Sequence, residues 1–185
     1  GEDVLVTRDP KEILAADKVV LPGVGSFGDA MENLHHFGLV PVIHQVVQEK
    51  TPFLGICLGL QLLFEKSEES PGVEGLGILK GEILRIPAAE GLKIPHMGWN
   101  NIRFPNKGRL FAGVPEDAYV YFVHSYYLKA QDEKIVTATT EYGTHIHASV
   151  ESGNLFACQF HPEKSSHVGL QILKNFAKLE GKGGR

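Results

Sequence analysis

The pentapeptide Gly55-Ile56-Cys57-Leu58-Gly59 places a glycine two residues to either side of a cysteine, directly after the apolar run Pro52-Phe53-Leu54. This is the spacing of a strand-to-helix elbow, with sulfur in place of a serine hydroxyl. In so tight a turn backbone lies against backbone, and a Cβ at either flank would collide. The turn leaves the Cys57 side chain pointing away from a sheet, at the N-terminus of a helix. Unpaired N–H groups and the helix dipole are expected there to favour thiolate over thiol.

The flanking pattern supplies the rest of an α/β unit. Val4-Leu5-Val6 reads as a short strand. Asp9-Pro10-Lys11-Glu12 is a helix start, with Asp9 as N-cap, Pro10 in the first helical position and Glu12 placed for a capping box. That helix ends near Asp17. Lys18-Val19-Val20-Leu21 runs apolar without alternation, as a fully buried strand does. A glycine-rich loop, Pro22–Gly28, follows it. Asp29 opens a helix that Gly38 interrupts, and a second helical stretch spans about Leu39 to Lys50. Thr51-Pro52 breaks it, Phe53–Ile56 is the next buried strand, and the helix after Cys57 extends to about Lys66. Strand and helix alternate, so the sheet should be mostly parallel with helices on both faces.

Beyond that point the pattern changes. Leu79–Arg85, Asn101–Phe104, Ala118–Leu128, Ile135–Tyr142, His145–Glu151 and Leu155–Phe160 all read as strands. Their short links imply an additional antiparallel region. A last helix spans about Ser166 to Leu179, and the polar, glycine-rich tail to Arg185 is expected to be disordered. No repeat or linker divides the chain, so residues 1–185 form one domain.

The charge balance, 18 basic against 22 acidic residues, gives −4 without a basic run, which argues against nucleic acid as a partner. No stretch has the length of a membrane span. Two cysteines in 185 residues make no disulfide framework, and a reducing cytoplasm is the expected setting.

A nucleophilic Cys57 needs a base. In Gln159-Phe160-His161-Pro162-Glu163 a strand ends at His161 and Pro162 prevents a helix there. Glu163 can then reach one ring nitrogen of His161 and fix its tautomer. Nucleophile, base and orienter come in the order Cys57, His161, Glu163, a thiol version of a triad. Acyl transfer also needs oxyanion donors. The loop at Gly23, Val24 and Gly25 follows a strand and should share the elbow's edge of the sheet, and the Leu58 N–H lies next to the nucleophile. The loop lacks the Lys-Ser/Thr of a phosphate-binding loop and the glycine spacing of a dinucleotide fingerprint.

Other residues have plainer readings. Cys158 lies inside an apolar strand and reads as core. His145 and His147 share one strand face, but no third ligand is near, so they read as surface histidines and no metal is expected. His35-His36 complements a helix C-terminus. The only Trp stands in Ile94-Pro95-His96-Met97-Gly98-Trp99-Asn100-Asn101, where interface and core readings weigh equally.

Three blocks together resemble the class I (triad-type) glutamine amidotransferases: Pro22-Gly23-Val24-Gly25, Gly55–Gly59 with Gln61, and Gln159–Glu163. Within that family, His96-Met97-Gly98-Trp99-Asn100 and Val123-His124-Ser125-Tyr126-Tyr127 are similar to glutaminase subunits of imidazole glycerol phosphate synthases, of histidine biosynthesis. The likeness covers Gly1 to Leu179.

It implies a flavodoxin-like sheet and hydrolysis of L-glutamine at Cys57, with His161 and Glu163 assisting and no cofactor. Gln61, Glu69, Ser125 and Tyr126 match positions that hold the amino-acid end of glutamine. Gly23, Val24 and Gly25 match the oxyanion strand, whose arrangement is expected to depend on a partner. That partner would be a (β/α)-barrel cyclase, receiving ammonia to make imidazole glycerol phosphate and aminoimidazole carboxamide ribotide. His96, Met97, Trp99 and Tyr121 match the side facing it. Family members begin with a further strand, loop and helix ahead of the position matching Gly1. Without them a strand of the sheet is expected to lack a neighbour. Three competing readings are an amidotransferase domain feeding another pathway, a stand-alone γ-glutamyl hydrolase, and a non-catalytic module on the same scaffold.

Overall fold

The computed structural model describes residues 1–182. Its elements in chain order are α1 (Pro10–Ala15), β1 (Val19–Gly23), α2 (Phe27–His36), α3 (Leu39–Gln48), β2 (Phe53–Cys57), α4 (Leu58–Leu62), β3 (Lys66–Ser67), β4 (Gly81–Arg85), β5 (His96–Asn101), β6 (Tyr119–His124), β7 (Tyr126–Ala130), β8 (Val136–Glu141), β9 (His145–Ser152), β10 (Leu155–Cys158) and α5 (Ser166–Ala177). Single 3-10 turns lie at Arg109–Phe111, Glu133–Ile135 and Pro162–Lys164.

The main sheet runs β1-β2-β10-β9-β7-β4-β3, with β8 on β9, and β5 and β6 form a separate ribbon. The sheet is mixed. β1, β2 and β10 are mutually parallel neighbours, as are β3 and β4, whereas β10, β9, β7 and β4 pair antiparallel. Helices separate β1 from β2, whereas short turns join β8 to β9 and β9 to β10, as antiparallel neighbours allow.

Period-2 alternation divides the interior into two cores. Phe53 and Leu155 of the central strands face α2 and α3, joining Phe27, Met31, Ile43 and Val46. Leu54 and Phe156 face the other way, joining Phe111, Phe122, Phe160, Ile172 and Phe176. Every residue of β2 is buried, which fixes the elbow between two packed layers.

The α1 start matches its signature, with Asp9 accepting from the Lys11 N–H at 2.8 Å. Elsewhere the structure corrects the pattern. Val4–Val6 is not a strand and its side chains are exposed, since nothing pairs with it. β1 is the edge of the sheet, and its burial alternates. The helix after Cys57 stops at Leu62, and β3 follows it. The stretch Ala118–Leu128 is two strands in different sheets, broken at Ser125. The strand expected at Asn101–Phe104 lies earlier, at His96–Asn101. Leu179–Lys182 closes the described chain, with the Lys182 N–H on the Asp17 carbonyl. Residues 183–185, where the tail was expected to be disordered, lie outside the described residues.

Candidate active site

The elbow is built as its glycines demand. A Cβ at Gly59 would overlap the Leu21 carbonyl oxygen, and one at Gly55 would sit 2.7 Å from the Gly59 carbonyl oxygen. Both contacts are backbone, so neither can yield by a rotamer change. Cys57 takes φ 55° and ψ −109°, a strained turn that presents its side chain at the C-terminal edge of β2. There Cys57 lies in register with Gly23 at the end of β1, and the two loops that follow share one pocket.

That pocket has a volume of about 320 Å³ and is lined by Cys57, Leu58, Gln61, Val24, Gly25 and Glu69. Ser125, Tyr126, His161, Val123, His124 and Pro95 complete the lining. Of the residues expected at a glutamine site, Glu163 stands behind His161 and Gly23 is likewise not in the wall. Gly23 supports the loop instead, packed on Leu58. Gly25 has φ +95°, and Val24 is the exposed tip.

His161 is set by hydrogen bonds to its backbone and its ring. Its N–H donates to the Tyr121 carbonyl at 2.9 Å. Ser165 Oγ donates to its carbonyl at 2.6 Å and accepts from the Tyr121 N–H at 3.0 Å. Its ring Nδ1 meets Glu163 Oε1 at 2.7 Å. A carboxylate only accepts, so Nδ1 carries the proton and Nε2 is left bare. That Nε2 is buried without a protein partner, and His161 lines the pocket that holds Cys57.

Cys57 itself departs from the expected thiolate. Burial pushes its pKa up to about 11, against opposing contributions from the Leu58 N–H and the Gln159 amide. Desolvation outweighs the N-terminus of a helix only five residues long. At rest the sulfur is a thiol, 3.8 Å from the Val123 carbonyl oxygen.

The other polar groups are anchored from behind. Glu69 Oε2 accepts from the Phe27 N–H at 2.9 Å, and Ser70 Oγ accepts from the Gly28 N–H at 2.8 Å. The start of α2, and with it the end of the Val24–Gly25 loop, is thus tied to a pocket carboxylate. Gln61 donates to the Tyr126 carbonyl and to Gln159 Oε1, so its own oxygen is what it can offer a ligand.

The Trp99 stretch separates into two faces. Met97 and Trp99 are 63% and 51% exposed, and Tyr121 meets Trp99 edge to face. His96, grouped with them from sequence, is only 3% exposed. It points to the opposite face of β5, stacked on Phe122 and Tyr142, because neighbouring residues of a strand alternate. His147, read as a surface residue, is also buried, and its Nδ1 accepts from the Ala130 N–H. Cys158 is fully buried, as a core residue should be. The sequence reading missed Gln159, which donates to Cys57 Sγ at 3.5 Å, and the pocket residues Pro95, Val123 and His124. All sat in quoted motifs, but only the fold shows what they touch.

Among the described residues no group of three or more His, Cys, Asp or Glu side chains is placed to hold a metal ion. No helix among them is long and apolar enough to cross a membrane.

The geometry agrees with what the chain is similar to. The structure resembles a solved glutamine amidotransferase (TM-score 0.68, 19% identity, 92% of this chain and 85% of that one). It also resembles the glutaminase domain of Trypanosoma brucei CTPS with bound acivicin (TM-score 0.64, 19% identity, 92% and 75%). Relatives named imidazole glycerol phosphate synthase subunit HisH are nearer in sequence. The one from Moorella thermoacetica is 57% identical over 97% of this chain and 84% of its own. Those from Methanocaldococcus jannaschii and Bacillus subtilis are 47% and 48% identical, over 96% and 97% of this chain and 88% and 86% of theirs. The model of the family "Glutamine amidotransferase class-I" matches residues 3–179, and with the elbow, loop and His-Pro-Glu turn assembled around one pocket, the chain belongs to the class I glutamine amidotransferases.

Proposed function

We propose that this chain is the cytoplasmic glutaminase subunit of an imidazole glycerol phosphate synthase, hydrolysing L-glutamine at Cys57 and passing ammonia to a cyclase subunit. The observation that carries the chemistry is the shared wall: a thiol at a strained elbow and a buried imidazole with a bare Nε2, fixed by a carboxylate. The acceptor pathway rests on the names of the relatives at about half identity.

The steps follow from these groups. Glutamine sits with its α-ammonium near Glu69 and the Gln61 oxygen and its carboxamide over Cys57. His161 Nε2 takes the thiol proton as Sγ attacks the carboxamide carbon. The oxygen that becomes negative is met by the Leu58 N–H and by N–H groups of the Val24–Gly25 loop. His161 returns the proton to the leaving nitrogen, and ammonia departs from a γ-glutamyl thioester. A water then gives its proton to His161 and attacks the thioester, releasing glutamate and restoring the thiol. Glu163 holds the imidazole throughout and stabilises it when charged.

With its pKa raised to about 11 by burial, the thiol needs His161 to take its proton as it attacks. Ammonia released into neutral water would be protonated and lose its nucleophilicity, and a docked partner keeps that from happening. The exposed pair Met97 and Trp99 supplies an apolar face for it.

Glutamate release, measured with and without a cyclase subunit and its nucleotide ligand, tests the proposal. Stimulation by both is expected. Full turnover by the chain alone would overturn the subunit role in favour of a free hydrolase, and no turnover with both present would overturn glutaminase activity itself.

A further inference from the structure

One backbone carbonyl sets the polarity of a hydrogen-bond chain that ends on the nucleophile. The Tyr126 carbonyl oxygen accepts two hydrogen bonds, one from Gln61 Nε2 at 3.1 Å and one from His124 Nδ1 at 2.9 Å. A carbonyl cannot reverse its role, so the Gln61 atom facing it must be the amide nitrogen. The second hydrogen of that nitrogen goes to Gln159 at 3.0 Å, so the Gln159 atom it meets must be oxygen. The remaining end of the Gln159 amide is then its NH₂, and it lies 3.5 Å from Cys57 Sγ. No link in this chain can turn over alone, since a flipped amide would set donor against donor or oxygen against oxygen.

We propose that Gln159 is a further catalytic residue, the fixed hydrogen-bond donor to the attacking sulfur, with Gln61 and the Tyr126 carbonyl as the positioning groups that point it. The inference rests on Cys57 being the nucleophile. Beside the Leu58 N–H, which also favours the ionised sulfur, the sulfur has two further polar neighbours of opposite effect. The Val123 carbonyl, 3.8 Å away, can only accept, so it suits S–H and opposes S⁻. The Gln159 NH₂ can only donate toward sulfur, and its bond strengthens when the sulfur is charged. The donor therefore favours the ionised sulfur at two points of the cycle: as the thiol loses its proton before attack, and as the thioester carbon–sulfur bond breaks and the electron pair returns to sulfur. In the neutral thioester between them the bond is weak. Such a donor acts on the charged sulfur more than on bound glutamine. Gln159 is itself fully buried and is not part of the pocket wall, so it has no means of contacting the substrate.

Gln61 gains a second role. With both amide hydrogens committed, it offers the pocket only an acceptor. A glutamate in its place would keep that oxygen but lose the donor to Gln159, freeing the Gln159 amide to turn.

The test follows Cys57 alkylation by iodoacetamide as a function of pH in the intact chain, scored on the Cys57 peptide. Cys158 is fully buried and serves as the internal control. Gln159→Leu should lower the alkylation rate at about pH 9 by roughly 10- to 100-fold and shift the profile upward by about one to two pH units. In glutamine hydrolysis it should lower kcat and kcat/KM together with KM nearly unchanged. A profile and kcat equal to wild type would overturn the proposal. Because a buried substitution can fail to fold, a second measurement uses the wild-type protein. The side-chain NH₂ resonances of Gln159 should move with the Cys57 titration, and that response should vanish in Cys57→Ala. Resonances indifferent to Cys57 ionisation would overturn the proposal. A shifted alkylation profile in a chain that never hydrolyses glutamine would uphold the donor and sink the glutaminase reading alone.

Discussion

Cys57 carries a positive φ of 55°, which side chains with a Cβ rarely adopt and which costs roughly 1–3 kcal/mol. The surrounding backbone holds it there, since Gly59 lies against Leu21 and Gly55 against Gly59. Two predictions belong at this scale. Cys57→Ala should abolish glutamine hydrolysis yet keep the strain, whereas Cys57→Gly should abolish it and relieve the strain. The glycine variant should be at least as stable in urea as the alanine variant, by about 1 kcal/mol. An alanine variant that is clearly more stable would mean that no strain is stored at the elbow. Gly59→Ala drives a Cβ into a carbonyl oxygen, and should cost more than about 4 kcal/mol, or roughly 10 °C in Tm. A melting curve like wild type would mean that the elbow can open without loss. The positions of Cys57, His161 and Glu163 were legible from sequence because each depends on neighbours within two residues. The ionisation of Cys57 was not, because the groups that bury it and touch its sulfur, Val123 and Gln159, lie 66 and 102 positions away.

The ribbon of β5 and β6 shows the same limit for whole elements. Its pairing runs from His96 with His124 to Asn101 with Tyr119, yet local pattern placed a strand later and merged β6 with β7. The corner at Ser125 has no glycine or proline to mark it. It exists because β6 pairs with β5 while β7 pairs with β4 and β9, a tertiary decision. The helices were legible where one clear signal marked them, α1 by its Asp9-Pro10 start and α5 by its apolar spacing. The α4 helix was overrun because Leu62 and Leu63 continue an apolar face past the point where the chain turns into β3. The ribbon divides its work between faces. Met97 and Trp99 stand outward, and His96 faces in, with its Nδ1 3.0 Å from His124 Nε2. Trp99→Ala should therefore weaken binding of a cyclase subunit by about tenfold or more, as loss of an aromatic anchor does, with a Tm within a few degrees of wild type. Calorimetric titration and a melting curve separate the two. A large fall in Tm with unchanged affinity would place Trp99 in the core's service instead. On the inner face the Tyr126 carbonyl requires a proton on His124 Nδ1, which leaves His124 Nε2 bare and requires a proton on His96 Nδ1. Imidazole nitrogen spectra should find both rings neutral in that tautomer, and a proton on His124 Nε2 would break the argument.

Across the whole molecule these buried rings set a window of stability. Burial lowers the pKa of His96 and of His124 from 6.5 to about 4, and lowers that of His147 as well. The unfolded chain therefore binds more protons than the folded one between these values, and stability rises with pH there. The contribution is fully present above about pH 6.5 and is lost as the pH falls toward 4. Between pH 7 and pH 5 the loss is up to about 2 kcal/mol for each of His96 and His124, at 1.36 kcal/mol per unit. At the other end burial raises Cys57 from 9.0 to about 11, and raises Cys158 well above 9.0. Folding then favours the protonated thiols, a contribution present below about pH 9 and lost as the pH climbs through 11. The stability profile should be a plateau from about pH 6.5 to pH 9 with a falling limb on each side. Glu49, which Lys182 and Gln45 hold below its ordinary 4.5, acts on the acid side of the histidine window. Urea midpoints measured between pH 5 and pH 7 isolate the imidazoles for that reason. His96→Phe keeps a ring against Phe122 and Tyr142, where His96 now stacks, but cannot be protonated. It should flatten the acid limb between pH 7 and pH 5 even if its plateau is lower. An acid limb as steep as wild type would show that the limb has another origin, and that the ribbon's inner face is not where this fold senses acid.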